Sequence, residues 1–306
     1  MTALRVAAVQ LEPRLGDVDA NLVSAAPLVA EAAAGGAQLV VMPEFFTTGM
    51  AYLPSMRTGT VGFGGPVTEW LVDQAARHEL TLGGSFLCRD NDGEVRNAFV
   101  LADADGVVGR HDKDLPTMWE NAFYVGGSDD GIIELRDGLR AGVALCWELM
   151  RSQTARRLRG RVDLVLGGSA WWSVPAWPPA SVTRRWEAAN RRTATGAAPA
   201  FARLVGAPVV HASHCGELRC PGLGLPLPYT GYYEGPTGVY APDGTALAER
   251  AAAAGPGLVT ADVEAGATEP ADAVPDRFWL HPRGPLPAFA WSWQRVLGRR
   301  EYARNA

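Results

Sequence analysis

Lysine is almost missing from this sequence. Of its 28 basic residues, 27 are arginine and one, Lys113, is lysine. The exception is either chance or a site that needs a compact amine instead of a planar guanidinium fork. Cysteine is sparse too. Cys88, Cys146, Cys215 and Cys220 are the only four in 306 residues, and they read as thiols, not as a disulfide framework. No apolar run reaches roughly 18 residues, which excludes a membrane-spanning helix. The short apolar stretch 4–11 carries Arg5 and leads into Glu12-Pro13-Arg14, where a signal peptide would place small residues, so a cytoplasmic protein is expected. Excess positive charge is also lacking. A net charge of −5 argues against a nucleic-acid partner, which would need a basic face.

Hydrophobic residues make up 47% of the chain and charged ones 20%, a globular composition. At this length roughly three quarters of the extended-chain surface is buried on folding. Apolar runs predict strands over 4–11, 38–42, 81–88, 94–102, 107–111, 131–135, 139–146, 162–166, 208–211 and 258–263. Helical spacing predicts helices over 21–34, 66–79, 148–159 and 181–205, the last with a break at Pro199. Asn91-Asp92-Gly93, Arg136-Asp137-Gly138 and Pro242-Asp243-Gly244 are hairpin signals. A Gly/Pro-rich loop follows residue 211 up to Gly235. From about 264 the chain is rich in Pro and Trp with little periodicity and reads as an arm. No internal repeat or linker stands out. The mixture of βα units and hairpins predicts one α/β domain with two mixed sheets, each covered by helices; strand counts alone do not separate this from a single twisted sheet.

Three places could carry chemistry. Cys146 ends an apolar strand and opens a helical stretch. The positive end of that helix would lower the thiol pKa, and the N–H groups that follow could face an oxyanion. On position alone a buried structural thiol fits at least as well. Glu44, in VVMPEFF, is framed by Pro43, Phe45 and Phe46; burial would raise its pKa toward neutrality and suit it to proton transfer. Lys113 and Glu120 lie in a long stretch with few strand features, 109–127, that reads as an active-site loop. A solvated ion pair there is the plainer reading.

In combination these stretches resemble the nitrilase superfamily of carbon–nitrogen hydrolases. VVMPEFF, GRHDKDLPTMWENAFYVGG and GVALCWELMR come in order, followed by VDLVLGGSAWW and the late hairpin GPTGVYAPDGTALAER. The resemblance covers roughly residues 4–265. It implies a four-layer α-β-β-α sandwich over residues 1–265, with residues 266–306 as a C-terminal arm packing on a partner subunit in a homodimer or larger homo-oligomer. It implies Glu44 as general base and acid, Cys146 as nucleophile, Lys113 as stabiliser of the tetrahedral intermediate and Glu120 as the group orienting them. The oxyanion would lie between Lys113 and the backbone N–H of Trp147. No metal or cofactor is implied, and the substrate is a small amide or nitrile. Trp147 after the nucleophile suits the nitrile-cleaving branch. Leu149 stands where that branch carries His or Asn, so amide hydrolysis is the expectation and nitrile hydrolysis the alternative.

Trp119, Trp171, Trp172 and Tyr52 could line a substrate pocket, which would favour an apolar or aromatic acyl group. They serve packing or dimer contact equally well. Trp279, Trp291 and Trp293 in the arm read as subunit-interface residues. A rival from another class is a zinc-binding module at His211, His214, Cys215 and Cys220, whose ligand types are right and whose spacing matches no standard motif. A pseudoenzyme that only binds a small molecule, or an acyltransferase or amide synthase using the same thioester chemistry, would also fit these residues.

Overall fold

A computed structural model describes residues 2–224, 227–281 and 285–305. The chain begins with β1 (Thr2–Leu11), α1 (Val18–Ala34), β2 (Leu39–Val41), α2 (Ser55–Thr58), β3 (Val61–Gly62) and α3 (Pro66–His78). An antiparallel meander follows, β4 (Thr81–Arg89), β5 (Val95–Asp103) and β6 (Gly106–Asp112). Next come β7 (Ile132–Glu134), β8 (Arg140–Val143), α4 (Ser152–Leu158), β9 (Leu164–Ser169), α5 (Ala180–Val205) and β10 (Val209–His214). The last elements are β11 (Glu217–Cys220), β12 (Tyr229–Tyr232), β13 (Thr237–Tyr240), β14 (Ala246–Arg250), β15 (Gly257–Ala265) and α6 (Pro285–Asn305).

The strands run in the order β6-β5-β4-β2-β1-β10-β9-β8-β7, with β15 added to β1. Alternation along each strand builds the layers. Leu39, Val41, Leu164, Leu166 and Val210 turn inward and meet between the two halves of this sheet. Val40 and Leu82 turn outward against Val29 of α1 and Leu71 of α3. Val165 and Val209 turn outward against Leu158 of α4 and Phe201 of α5. Strands buried on both faces explain the unbroken apolar runs. The four-layer α-β-β-α arrangement is the one expected. The two expected sheets are, however, joined by parallel pairing of β1 with β10, Gln10 opposite Ser213 and Leu11 opposite His214, into one large sheet.

Other differences bear on function. The strand expected to reach Cys146 ends at Val143, and the helix expected over 148–159 is a 3-10 turn, Cys146–Met150, followed by α4. α5 continues through Pro199; a proline removes one N–H donor, and buried Ala197, Ala198, Phe201 and Ala202 hold the helix to the core. The Gly/Pro-rich loop contains a separate two-stranded sheet, β11 with β12. Within the arm, the segment expected to lack periodicity folds into α6. Proline is tolerated in the first turn. A Cβ on Gly298 would lie 2.7 Å from Asn121 Cβ, so glycine permits the helix to lie tightly on the turn Met118–Ala122. Apolar residues occur on both sides of α6, which hid it from pattern reading: Trp291 is packed against the core, whereas Phe289, Trp293 and Val296 are 62%, 46% and 49% exposed.

Candidate active site

The four candidate residues follow three different strands, β2, β6 and β8, and meet. Glu44 lies beyond β2, Lys113 just after β6, Glu120 in the turn Met118–Ala122 and Cys146 in the turn Cys146–Met150. Close approach of these segments needs glycine at Gly168 in β9, where a Cβ would fall 2.5 Å from the Glu44 backbone nitrogen. Four described non-glycine residues have positive φ, and three of them, Phe45, Met118 and Cys146, are at this site. Such backbone strain persists where surrounding structure enforces it.

Lys113 Nζ donates to Glu44 Oε1 at 2.8 Å and to Glu120 Oε2 at 2.8 Å, with all three side chains fully buried. Asn97 Nδ2 donates to Glu44 Oε1 at 3.0 Å and the Ala170 N–H to Glu44 Oε2 at 3.1 Å. The Thr117 N–H donates to Glu120 Oε2 at 2.8 Å, and the Tyr124 hydroxyl also donates to that oxygen. The Cys146 thiol, 1% exposed, feels the charges of Glu44, Lys113 and Glu120.

Burial raises the Glu44 pKa to about 7, with Lys113 opposing the shift and Glu120 adding to it. Burial disfavours the Lys113 ammonium, but the charges of Glu120 and Glu44 outweigh it and hold Lys113 protonated. Burial and the charge of Glu44 push the Cys146 thiol well above its usual range, and Lys113 pulls back only in part. This corrects the expectation of a thiol acidified by a helix end. The element is a five-residue 3-10 turn, and its partial positive charge is outweighed by two carboxylates.

Cys146–Met150 and Met118–Ala122 are built alike. Each opens with a residue at φ 49°, then Trp, then Glu. In each the Glu reaches back to the N–H of the residue before the turn: Glu148 Oε2 accepts from Leu145 at 2.9 Å as Glu120 Oε2 accepts from Thr117. Glu148 faces away from the thiol, toward His111 Nε2 at 3.1 Å and, at 3.7 and 3.8 Å, the guanidinium groups of Arg151 and Arg157. It also accepts from the Asp114 N–H at 3.2 Å, which ties the backbone beside Lys113 to the turn that carries Cys146. The cations, His111 foremost, hold Glu148 well below the usual carboxylate range despite burial.

In front of Cys146 lies a cavity of about 140 Å³. Trp119, Trp147, Trp171 and Trp172 line it as expected, joined by Met118, Trp177 and Tyr229 and, from α6, by Pro287, Ala290 and Gln294. Among the described residues no charged side chain lines it. Tyr52 is not in the wall; it packs on Phe123 with ring centres 6.0 Å apart. Trp291 stacks on Trp147 at 5.2 Å, and Trp279 meets Trp147 edge-on at 5.6 Å. These two arm tryptophans therefore make ring contacts within their own chain.

The zinc reading fails on hydrogen bonding. His211 uses Nε2 on Ser169 and Nδ1 on the Pro236 carbonyl, and His214 Nε2 donates to the Glu44 carbonyl at 2.8 Å. Among the described residues no cluster of three or more His, Cys, Asp or Glu could hold a metal ion. No helix among them is long and apolar enough to cross a membrane.

The family model for carbon–nitrogen hydrolases matches residues 5–272. The chain belongs to that family. Among curated proteins this carbon–nitrogen hydrolase is 31% identical over 160 residues to a nitrilase of Paraburkholderia phymatum, covering 47% of each chain. It is 27% identical over 188 residues to a nitrilase of Pyrococcus abyssi, covering 60% of this chain and 71% of that one. It is 28% identical over 195 residues to an aliphatic nitrilase of Rhodococcus rhodochrous, covering 58% and 51%. The matched stretch thus spans about half the length of two of these three relatives. Among solved structures the fold is similar to a mutant amidase from Nesterenkonia sp. AN1 with acrylamide added at its active-site cysteine (TM-score 0.64, 23% identity, covering 90% and 96%). It is also similar to a carbon–nitrogen hydrolase from Helicobacter pylori G27 (TM-score 0.67, 15% identity, covering 86% and 89%).

Sequence reading overlooked Asn97, Tyr124, His111 and Glu148, and took His214 for a candidate metal ligand. Trp-Glu pairs occur at 119–120, 147–148 and 186–187, and the first two, each beside a candidate residue, were the signal that could have found Glu148. Asn97 and Tyr124 sit in ordinary strand or loop contexts and carry no local mark.

Proposed function

We propose that this protein hydrolyses a small, uncharged amide to a carboxylic acid and ammonia through a thioester on Cys146. The supporting observation is the ammonium of Lys113 held between Glu44 and Glu120 at 2.8 Å each, beside a thiol that opens onto a neutral aromatic cavity. With Lys113 charged, ionised Glu44 and Glu120 leave the cluster at −1, and a free thiolate would make it −2. The thiol proton therefore moves to Glu44 as sulfur attacks, consistent with a Glu44 pKa of about 7 near the optimum for a general base.

In the first half-reaction the S–C bond forms, the carbonyl oxygen becomes an oxyanion, and Lys113 with the Trp147 N–H stabilises it. Glu44 returns the proton to nitrogen, the C–N bond breaks and ammonia leaves. Water then attacks the thioester, giving a proton to Glu44; the C–S bond breaks, the acid departs and sulfur regains its proton. Glu120 fixes the ammonium throughout. Nitrile hydrolysis is the second reading, favoured by the nitrilase names of the curated relatives and by Trp147-Glu148 after the nucleophile; buried Leu149 speaks against it. Ammonia release from matched amides, nitriles and N-carbamoyl compounds tests the proposal. Amides are expected to turn over and N-carbamoyl amino acids to fail, since none of the described wall residues is a cation that could pair their carboxylate; release from nitriles alone would install the second reading. A homodimer would cover the exposed Phe289, Trp293 and Val296, and sedimentation at two concentrations checks this.

A further inference from the structure

The wall of the cavity in front of Cys146 falls into an inner and an outer part. Cys146, Trp119 and Trp172 are buried, whereas Met118, Trp177, Pro287 and Ala290 are half-buried. The thiol sits in the inner part, and the outer part is shared by the segment around Trp177 and by α6. The three residues that α6 gives to the wall, Pro287, Ala290 and Gln294, stand three and four positions apart, so they fall on one face of the helix. Ala290 is the smallest of them, and its side chain ends at Cβ.

α6 is fixed where it meets the cavity. Next to Ala290, Trp291 stacks on Trp147 with the rings 13° from parallel. Gln294 Nε2 donates to the Leu223 carbonyl at 3.1 Å, and Gly298 brings the helix against Asn121. Further along, the Tyr302 hydroxyl accepts from the Val95 N–H at 2.8 Å and donates to Glu94 Oε2 at 2.7 Å. A wall held in this way limits the size of its contents, because closely packed groups yield little to an added methylene. The cavity measures about 140 Å³, close to the roughly 150 Å³ that holds one benzene ring. We infer that α6 is the specificity element of the acyl pocket and that Ala290, by ending at Cβ, admits an acyl group as large as one ring. This rests on the thioester reading above and adds to it which acyl groups are taken. α6 lies beyond the residues matched by the family model.

The test compares ammonia release from phenylacetamide and propanamide by the unmodified enzyme and by Ala290→Leu, which adds bulk to the wall. The smaller change Ala290→Val serves should the first variant fold poorly. Ala288→Leu adds the same bulk at an exposed position of α6 and controls for a disturbed helix. The unmodified enzyme is expected to favour phenylacetamide in kcat/KM. Ala290→Leu is expected to lower that preference at least about tenfold, the scale of one methylene in a hydrophobic pocket. Ala288→Leu is expected to leave it within about twofold, as surface substitutions do. A preference unmoved by both Ala290 variants, or lowered as much by Ala288→Leu, overturns the inference, as does an unmodified enzyme that treats the two amides alike in both turnover and binding. Calorimetry with the same substitutions in the Cys146→Ala protein separates binding from reaction. A binding preference that shifts as described, with no ammonia released from either amide, supports the pocket assignment and counts against the hydrolase reading.

Discussion

The turns Met118–Ala122 and Cys146–Met150 share a backbone and differ in what their glutamates face. In both, the first residue has φ 49° and the Glu bonds back to the residue before the turn. Glu120 faces one ammonium, Lys113, which is itself shared with Glu44. Glu148 faces His111, Arg151 and Arg157. One local design therefore does two jobs: the first turn sets charge beside Lys113, and the second holds Cys146 at φ 49°. The tryptophans divide similarly. Trp119 stacks on Trp172 of the cavity wall, and Trp147 stacks on Trp291 of α6.

Lys113 joins the two, because its ammonium reaches Glu120 while the next residue's N–H reaches Glu148. Lys113→Arg should lose at least about 100-fold in kcat, the scale of one lost oxyanion donor, since a planar fork does not fit between two carboxylates 2.8 Å from one nitrogen. A variant retaining more than half of wild-type turnover would refute this steric account. Glu120→Gln and Glu148→Gln separate the jobs directly. Glu148→Gln should cost about 3–5 kcal/mol of stability, as expected when a buried ion pair loses one partner, seen as a lower denaturation midpoint. Glu120→Gln should lose roughly tenfold or more in kcat, with a smaller change in midpoint, because Lys113 keeps Glu44. The opposite pattern would mean that the turns had been assigned the wrong way round.

The pH profile follows from the reacting side. With Glu44 at about 7, the base form is lost as pH falls through 7. The rate kcat/KM should therefore fall about tenfold per unit below that point and level off above it; a limb near pH 4.5 would remove burial of Glu44 from the account. The smallest effect belongs to the supporting side. Burial works against a charged His111, yet Glu148 and Asp129 raise its pKa to about 10. Its contribution to stability is complete below the unfolded value of about 6.5 and is lost as pH rises through 10. The thermal midpoint should sag between pH 8 and 10, and His111→Asn should flatten that sag.

Much of the reacting centre was legible because its residues carry local marks. Glu44 is framed by proline and phenylalanines, Lys113 is a lone lysine among arginines, and Cys146 lies between an apolar run and a Trp-Glu pair. The supporting shell was less legible. His111 and Glu148 are 37 residues apart and meet only through the sheet. α6 has apolar residues on more than one side, so its spacing shows no single stripe, and Gln294 gains meaning only once the helix lies on the cavity. The thiol's expected acidity was misread because a helix end was weighed without the burial of the thiol and the two carboxylates that the fold brings beside it. Tyr52 was drawn toward the cavity by its aromatic character and lies instead against Phe123.

The most direct test of the central claim is an acid quench of the enzyme during turnover of an amide, followed by intact-protein mass and peptide mapping. The account predicts one acyl group per chain, carried on Cys146, formed with one equivalent of ammonia and absent from Cys146→Ala, which should release none. Ammonia release from Cys146→Ala at the wild-type rate, or an acyl group mapped to another residue, would contradict it.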